Sequence, residues 1–217
     1  MLNMITLLVN IRKKKKIGVI GVGHGFNIGN NLLKYAISIK LSELGFIPYI
    51  IGTNNNNRNI SFLKKQTNCI IIKKNYSEIK KNDYDILMVN SDQTWRKLDN
   101  NFYDIGFLKF AEKWNIPKFV YGASLGYNNW NLTKKDKKII KHLLKNFTGI
   151  SVREKNSINL VNKYIGIKPE LVLDPTLLIN KKYYLNIIKN FKNDKKMKNN
   201  FIFTYLFRNE SNYTKIY

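Results

Sequence analysis

The stretch Phe147-Thr-Gly-Ile-Ser-Val-Arg-Glu-Lys155 combines residue types suited to holding an anion. An apolar strand pattern ends on Arg153, and a helix pattern starts at once behind it. The guanidinium stays charged and offers a rigid donor fork that matches phosphate or carboxylate. A helix N-terminus adds backbone donors and partial positive charge. Two companion stretches, Ser91-Asp-Gln-Thr-Trp95 and Leu173-Asp-Pro-Thr176, also follow apolar runs. In an open α/β sheet all three lie where strands end, which is where such sheets bind ligands. The competing reading of Arg153 is an ion pair with Glu154 or another nearby acid.

The other candidates carry two readings each. Asp92 suits a ligand hydroxyl or a general base, and Ser91 and Asp92 are equally good helix N-caps. Asp174, before Pro175, either meets a ligand or fixes a turn. Trp95, Tyr127 and Trp130 suit stacking on sugar rings, but aromatics of this kind also fill cores. The glycine-rich turn Gly21-Val-Gly-His-Gly25 invites comparison with a dinucleotide fingerprint. The third glycine would fall at Phe26, and no acidic residue follows the second strand, so the spacing argues against a nicotinamide or flavin site. The turn still permits close backbone approach to a small group near Gly29 and Asn30. His24 within it is a candidate acid or base, with a structural or solvent-exposed histidine as the alternative. His142, among lysines, reads as a surface residue. No metal-ligand spacing and no nucleophile-base pair can be justified.

Elements that position these residues follow from apolar periodicity. Strands are expected at 17–22, 46–51, 69–72, 84–89, 118–121, 150–152 and 171–173. Helices are expected at 31–44 (stopped by Gly45), at a short segment through Phe62 and Leu63, from a cap at Thr133 or Asp136 through Leu144, and at 155–164. Residues 102–114 are ambiguous, with helical character in part. Strand and helix alternate, which predicts a Rossmann-like, doubly wound α/β fold with a parallel sheet. The expected organisation is an extension at 1–16, the Rossmann-like domain at 17–180, a helix and linker at 181–200, and the first strand of a second domain at 201–217.

Hydrophobic residues make up 44% of 217, enough for a sizeable core. A single cysteine, Cys69, excludes a disulfide framework and fits a buried strand residue in a reducing compartment. The formal charge of +24 would suit a polyanion. Lysines are spread along the whole chain with abundant Asn and Ile, a pattern of low-GC codon usage, and no nucleic-acid module is present. No stretch reaches the roughly 20 apolar residues of a membrane helix, and the order of charge and apolar residues at the start is wrong for a secretory signal. The expectation is a cytoplasmic protein that prefers anionic ligands, with peripheral attraction to the inner membrane surface and no specific nucleic-acid partner.

Taken together, five stretches resemble the polysaccharide pyruvyl transferase family. They are Ile28-Gly-Asn-Asn-Leu-Leu-Lys-Tyr-Ala36 with Leu44-Gly45, Asn90-Ser-Asp-Gln-Thr-Trp95, Val120-Tyr-Gly-Ala-Ser-Leu-Gly126, Phe147 to Glu154, and Val172-Leu-Asp-Pro-Thr-Leu-Leu178. Their order and spacing, rather than any one of them, carry the likeness. The resemblance implies a glycosyltransferase-B-like pair of Rossmann-like domains facing a cleft. It also implies transfer of a pyruvate ketal group from phosphoenolpyruvate to a saccharide acceptor, with no further cofactor. Arg153 matches the family's strand-to-helix arginine and would clamp the donor. Ser91, Asp92, Gly29, Asn30, Ser124 and Asp174 would line the cleft. Asn90 departs from a usual glycine, and Arg96 from a usual small amide. A further arginine and the histidine proton donor are expected from the second domain. The chain reads as holding only that domain's first strand, so it is expected to be a fragment, inactive without a separate C-terminal half.

Overall fold

Two apolar runs form the centre of the molecule: β1 (Lys16–Ile20) and β4 (Ile86–Val89). Apolar runs without polar alternation fit strands covered on both faces. The computed structural model describes residues 15–21, 27–52, 70–73, 75–97, 102–126 and 128–190. With β2 (Ile47–Gly52), β3 (Ile70–Lys73), β5 (Lys118–Ala123), β6 (Gly149–Val152) and β7 (Glu170–Leu171), the sheet has seven strands in the order β3-β2-β1-β4-β5-β6-β7. Every pairing is parallel, as in Ile17↔Pro48 on one side of β1 and Ile17↔Ile86 on the other. Strand order reverses between β1 and β4, the switch point of a doubly wound, Rossmann-like sheet.

Alternate residues of each strand serve opposite faces. Ile17, Val19, Ile86, Met88, Phe119 and Tyr121 pack with α1 (Ile28–Glu43) through Ile37 and Leu41. Ile20, Leu87, Val89 and Val120 pack on the other face with α3 (Lys134–Leu144) and α4 (Lys155–Ile165). On α1 the stripe Leu33, Ile37 and Leu41 is almost wholly buried, each side chain contributing about 1.5–3 kcal/mol. The helix starts three residues before the expected Asn31, because the Asn27 side chain accepts the Asn30 amide. It stops as expected: Gly45 takes φ 87, and the Phe46 amide returns to the Leu41 carbonyl at 3.0 Å. Thr133 and Asp136 close α3 with a reciprocal capping box.

Some expectations change. Between 102 and 114 the chain forms α2 (Phe102–Phe107), ended by Leu108 at φ 51, then a 3-10 turn at Lys109–Ala111. The strand expected at 171–173 is the two-residue β7, an edge strand with Leu171 and Leu173 exposed. No helix begins after Ser91-Asp92, so neither residue acts as an N-cap. Trp95 and Trp130 are core residues, stacked on each other at 5.6 Å and buried, which removes them as sugar platforms. Contacts divide the chain into Met1–Lys181 and Lys182–Tyr217; the second unit carries α5 (Lys181–Asn190) from its second residue on. His24, Cys69, Tyr127, the Phe62–Leu63 helix and the strand expected from Phe201 lie outside the described residues. No helix among the described residues is long and apolar enough to cross a membrane.

Candidate functional site

The site gathers at the carboxyl ends of β1, β4, β5 and β6. Its backbone is shaped by a bulge in β5, where the pairing register with β6 shifts between Val120 and Ala123. Gly122 adopts φ +62 there, and an added Cβ would stand 3.2 Å from the Ser91 hydroxyl. A bulge leaves backbone groups without ladder partners. Two hydroxyls replace them: Ser91 Oγ donates to the Gly122 carbonyl at 2.8 Å, and Ser151 Oγ accepts the Gly122 amide at 3.0 Å. Ser91 is thus buried and engaged with the backbone, and it lines neither cavity described below.

Asp92 follows with φ 132, a conformation that costs an L residue on the order of 1–3 kcal/mol. The surroundings hold it there. Its carbonyl accepts the Thr94 amide at 2.7 Å and the Ser124 amide at 2.9 Å, which ties it to β5. Its carboxylate accepts Asn30 Nδ2 at 2.6 Å and the Gln93 amide at 2.8 Å. The first of these bonds spans the switch point, joining the end of β4 to the first turn of α1.

Arg153 is half-buried where β6 gives way to α4, and it realises the ion-pair reading in full. Nη1 donates to Asp174 at 2.7 Å and Nε to Glu154 at 3.2 Å. Burial alone would loosen its proton, but the two carboxylates outweigh that and hold it more tightly than usual. Asp174 has two functions at once. Its other oxygen accepts the Thr176 amide at 2.9 Å and hydroxyl at 2.6 Å, fixing the turn at Pro175–Leu177.

An ion pair does not exclude a ligand role, because Arg153 also forms the wall between two cavities. One, of about 310 Å³, lies at the N-terminus of α4 and is lined by Gln93, Ser124, Gly126, Arg153 and Asn156. The other, of about 330 Å³, lies at the N-terminus of α1 and is lined by Gly29, Asn30, Leu33, Asp92, Arg153 and Asp174. The structure therefore brings together Arg153, Asp92, Gly29, Asn30, Ser124 and Asp174, and it sets Ser91 behind them as support. Asn27, Thr176, Gln93 and Asn156 also belong here. They are polar residues beside strand ends or helix starts, a signal too common in this asparagine-rich chain to single them out. Among the described residues no cluster of His, Cys, Asp and Glu is arranged to hold a metal.

A parallel sheet with a polar crevice at its switch point defines a ligand-binding α/β protein. The polysaccharide pyruvyl transferase family model matches residues 27–217, so the chain belongs to that family. Membership implies a transferase. A search of the curated proteins finds no significant match.

Proposed function

We propose that this chain acts in transferring a pyruvate ketal group from phosphoenolpyruvate to two hydroxyls of a cell-surface or exopolysaccharide sugar. The observation that carries the reading is the Arg153 guanidinium shared by two cavities at the switch-point edge of the sheet. The α4 cavity suits the donor: a cation and helix N-terminal amides favour phosphate and carboxylate. The α1 cavity suits the acceptor, since Asp92 offers oxygen acceptors to hydroxyls and Leu33 offers an apolar wall.

The chemistry needs a proton on the methylene carbon, which leaves an oxocarbenium-like centre at the enol carbon. One sugar hydroxyl adds there, phosphate departs, and the second hydroxyl adds in its place. Two hydroxyl protons are lost overall: one equivalent goes to the methyl group and one leaves with phosphate. Asp92 receives them in turn as a general base. Arg153 stabilises the departing charge, which is where a fixed cation lowers a barrier. A glycosyltransferase-B-like architecture belongs to the same reading, because the reaction needs water excluded.

The test is calorimetric titration with phosphoenolpyruvate at moderate salt, on the chain and on Arg153→Ala. Binding by the chain that the variant loses supports the donor clamp. Equal binding by both would remove Arg153 from it. Absence of binding to either favours a non-catalytic remnant that binds a partner or an anionic sugar.

A further inference from the structure

The cation of the α4 cavity is already committed. Arg153 gives Nη1 to Asp174 and Nε to Glu154, and Glu154 itself lines that cavity. A ligand carrying phosphate and carboxylate therefore enters beside one positive charge matched by two negative ones. Such a ligand needs donors beyond the guanidinium.

Gln93 can supply one. It lines the cavity half-buried, and its side-chain oxygen accepts Arg96 Nη1 at 2.8 Å. A guanidinium has donors and no acceptor, so the end of the amide that meets Arg96 is the oxygen and the other end is the NH2. Chemistry thus fixes an orientation that amides often leave open. Gly126, at φ +72, packs on the same pair: an added Cβ would stand 3.0 Å from Gln93 Cδ, 3.1 Å from Gln93 Oε1 and 3.1 Å from Arg96 Cδ. The oxygen is enclosed between Arg96 and this turn. Nε2 makes no hydrogen bond with any described residue and is the end left for the cavity.

A second donor belongs to the same wall. Ser124 lines the cavity and is 3% exposed. Its Oγ accepts the Gly126 amide at 3.1 Å, and no described group accepts its proton. A buried hydroxyl with an unused proton is uncommon in a folded interior. Behind Gln93, the Arg96 charge polarises the amide and makes its N–H a stronger donor.

We propose that Gln93 binds an anionic oxygen of phosphoenolpyruvate through Nε2, beside the Ser124 hydroxyl, and that Arg96 is the positioning residue that turns the amide this way. This rests on the donor assignment above, and it names the neutral half of the clamp. Arg96 acts through the Gln93 oxygen, not on the ligand.

Gln93→Glu keeps the oxygen that Arg96 binds, makes that contact an ion pair, and replaces the NH2 by an oxygen that repels an anion. Its phosphoenolpyruvate affinity, read by calorimetry, is expected to fall by about tenfold or more, with the urea midpoint unchanged or higher. Arg96→Met is expected to lower affinity by about three- to tenfold, and Arg96→Lys, which again offers only donors, to restore most of it. Wild-type affinity in Gln93→Glu overturns the ligand role. A loss in Arg96→Met that lysine does not restore overturns the positioning role. Side-chain amide NMR separates all this from the reading beneath it. The Gln93 NH2 signals, assigned by their absence in Gln93→Glu, are followed as inorganic phosphate and phosphoenolpyruvate are added separately. Movement with both supports the proposal. Movement with phosphate alone overturns phosphoenolpyruvate as the ligand, and the donor reading with it. Movement with neither overturns the part of Gln93, and the donor reading then stands without it if Arg153→Ala still abolishes phosphoenolpyruvate binding.

Discussion

Two carboxylates in this molecule, Asp92 and Asp136, are built in opposite ways. Asp136 sits at the start of α3, almost fully buried, and is surrounded by donors. Lys97 reaches it at 2.8 Å, the Thr133 amide and hydroxyl each at 2.8 Å, and the Tyr103 hydroxyl completes the shell. Burial alone would raise its pKa, but these donors hold it well below the usual carboxylate range. The Asp92 carboxylate has two donors, the Asn30 side chain and the Gln93 amide, on a strained backbone with a cavity in front of it. A fully satisfied carboxylate locks a helix end and has no capacity left for a ligand. One held by fewer bonds, on a backbone fixed from elsewhere, keeps acceptor positions open for chemistry.

That contrast can be broken from both sides. Asp92→Asn is expected to lower transfer by about 10²–10⁴-fold with little change in melting temperature, since Asn tolerates positive φ at least as well. A large loss of stability instead would make Asp92 another Asp136. Asp136→Ala is expected to cost about 3 kcal/mol, read as a lower urea midpoint, because it leaves the buried donors unpaired. Its effect on phosphoenolpyruvate affinity should be negligible.

The pH dependence of stability sets Asp136 against the buried Lys34 of α1. The Asp136 contribution is present above the unfolded carboxylate range and is lost as acid reaches its depressed folded value. Lys34 runs across the alkaline range. Its folded pKa of about 8 lies below the ordinary 10.5, so the unfolded chain binds the proton more tightly. Stability should therefore rise between these values by as much as about 3 kcal/mol, relative to Lys34→Met, in denaturant titrations at pH 7 and pH 10. A flat difference between the two proteins would mean that Lys34 is not buried as an ammonium.

The smallest expected effect concerns the support behind the site. Ser91→Ala deprives the Gly122 carbonyl of its donor and should cost about 1–2 kcal/mol. If the bulge is what aims Asp92, the variant should also weaken acceptor binding. A stability loss with unchanged binding would confine Ser91 to the fold.

Much of this was legible in the chain. The runs Ile17–Ile20, Ile86–Val89 and Phe119–Tyr121 specify buried parallel strands, because an apolar segment with no polar face must be covered on both sides. Gly45 and Thr133 mark helix ends through backbone chemistry that acts within a few residues. Arg153, Asp92 and Asp174 stand out because strand ends are where an α/β sheet exposes side chains to a crevice. The second half of each interaction was not legible. Arg153 and Asp174 are 21 positions apart and Asn30 and Asp92 are 62 apart, and no local rule pairs them. Lys34 and Lys118 are two of 38 basic residues, and only the folded structure shows that they are buried. Trp95 and Trp130 had two readings that only burial could separate. Local periodicity and capping, encoded within a few residues, thus determined the strands, the helices and the polar residues that end them. Which charges face each other, which hydroxyls serve the backbone and which carboxylate keeps open valences depended on the winding of the sheet, because those contacts exist only once distant segments meet at β1 and β4.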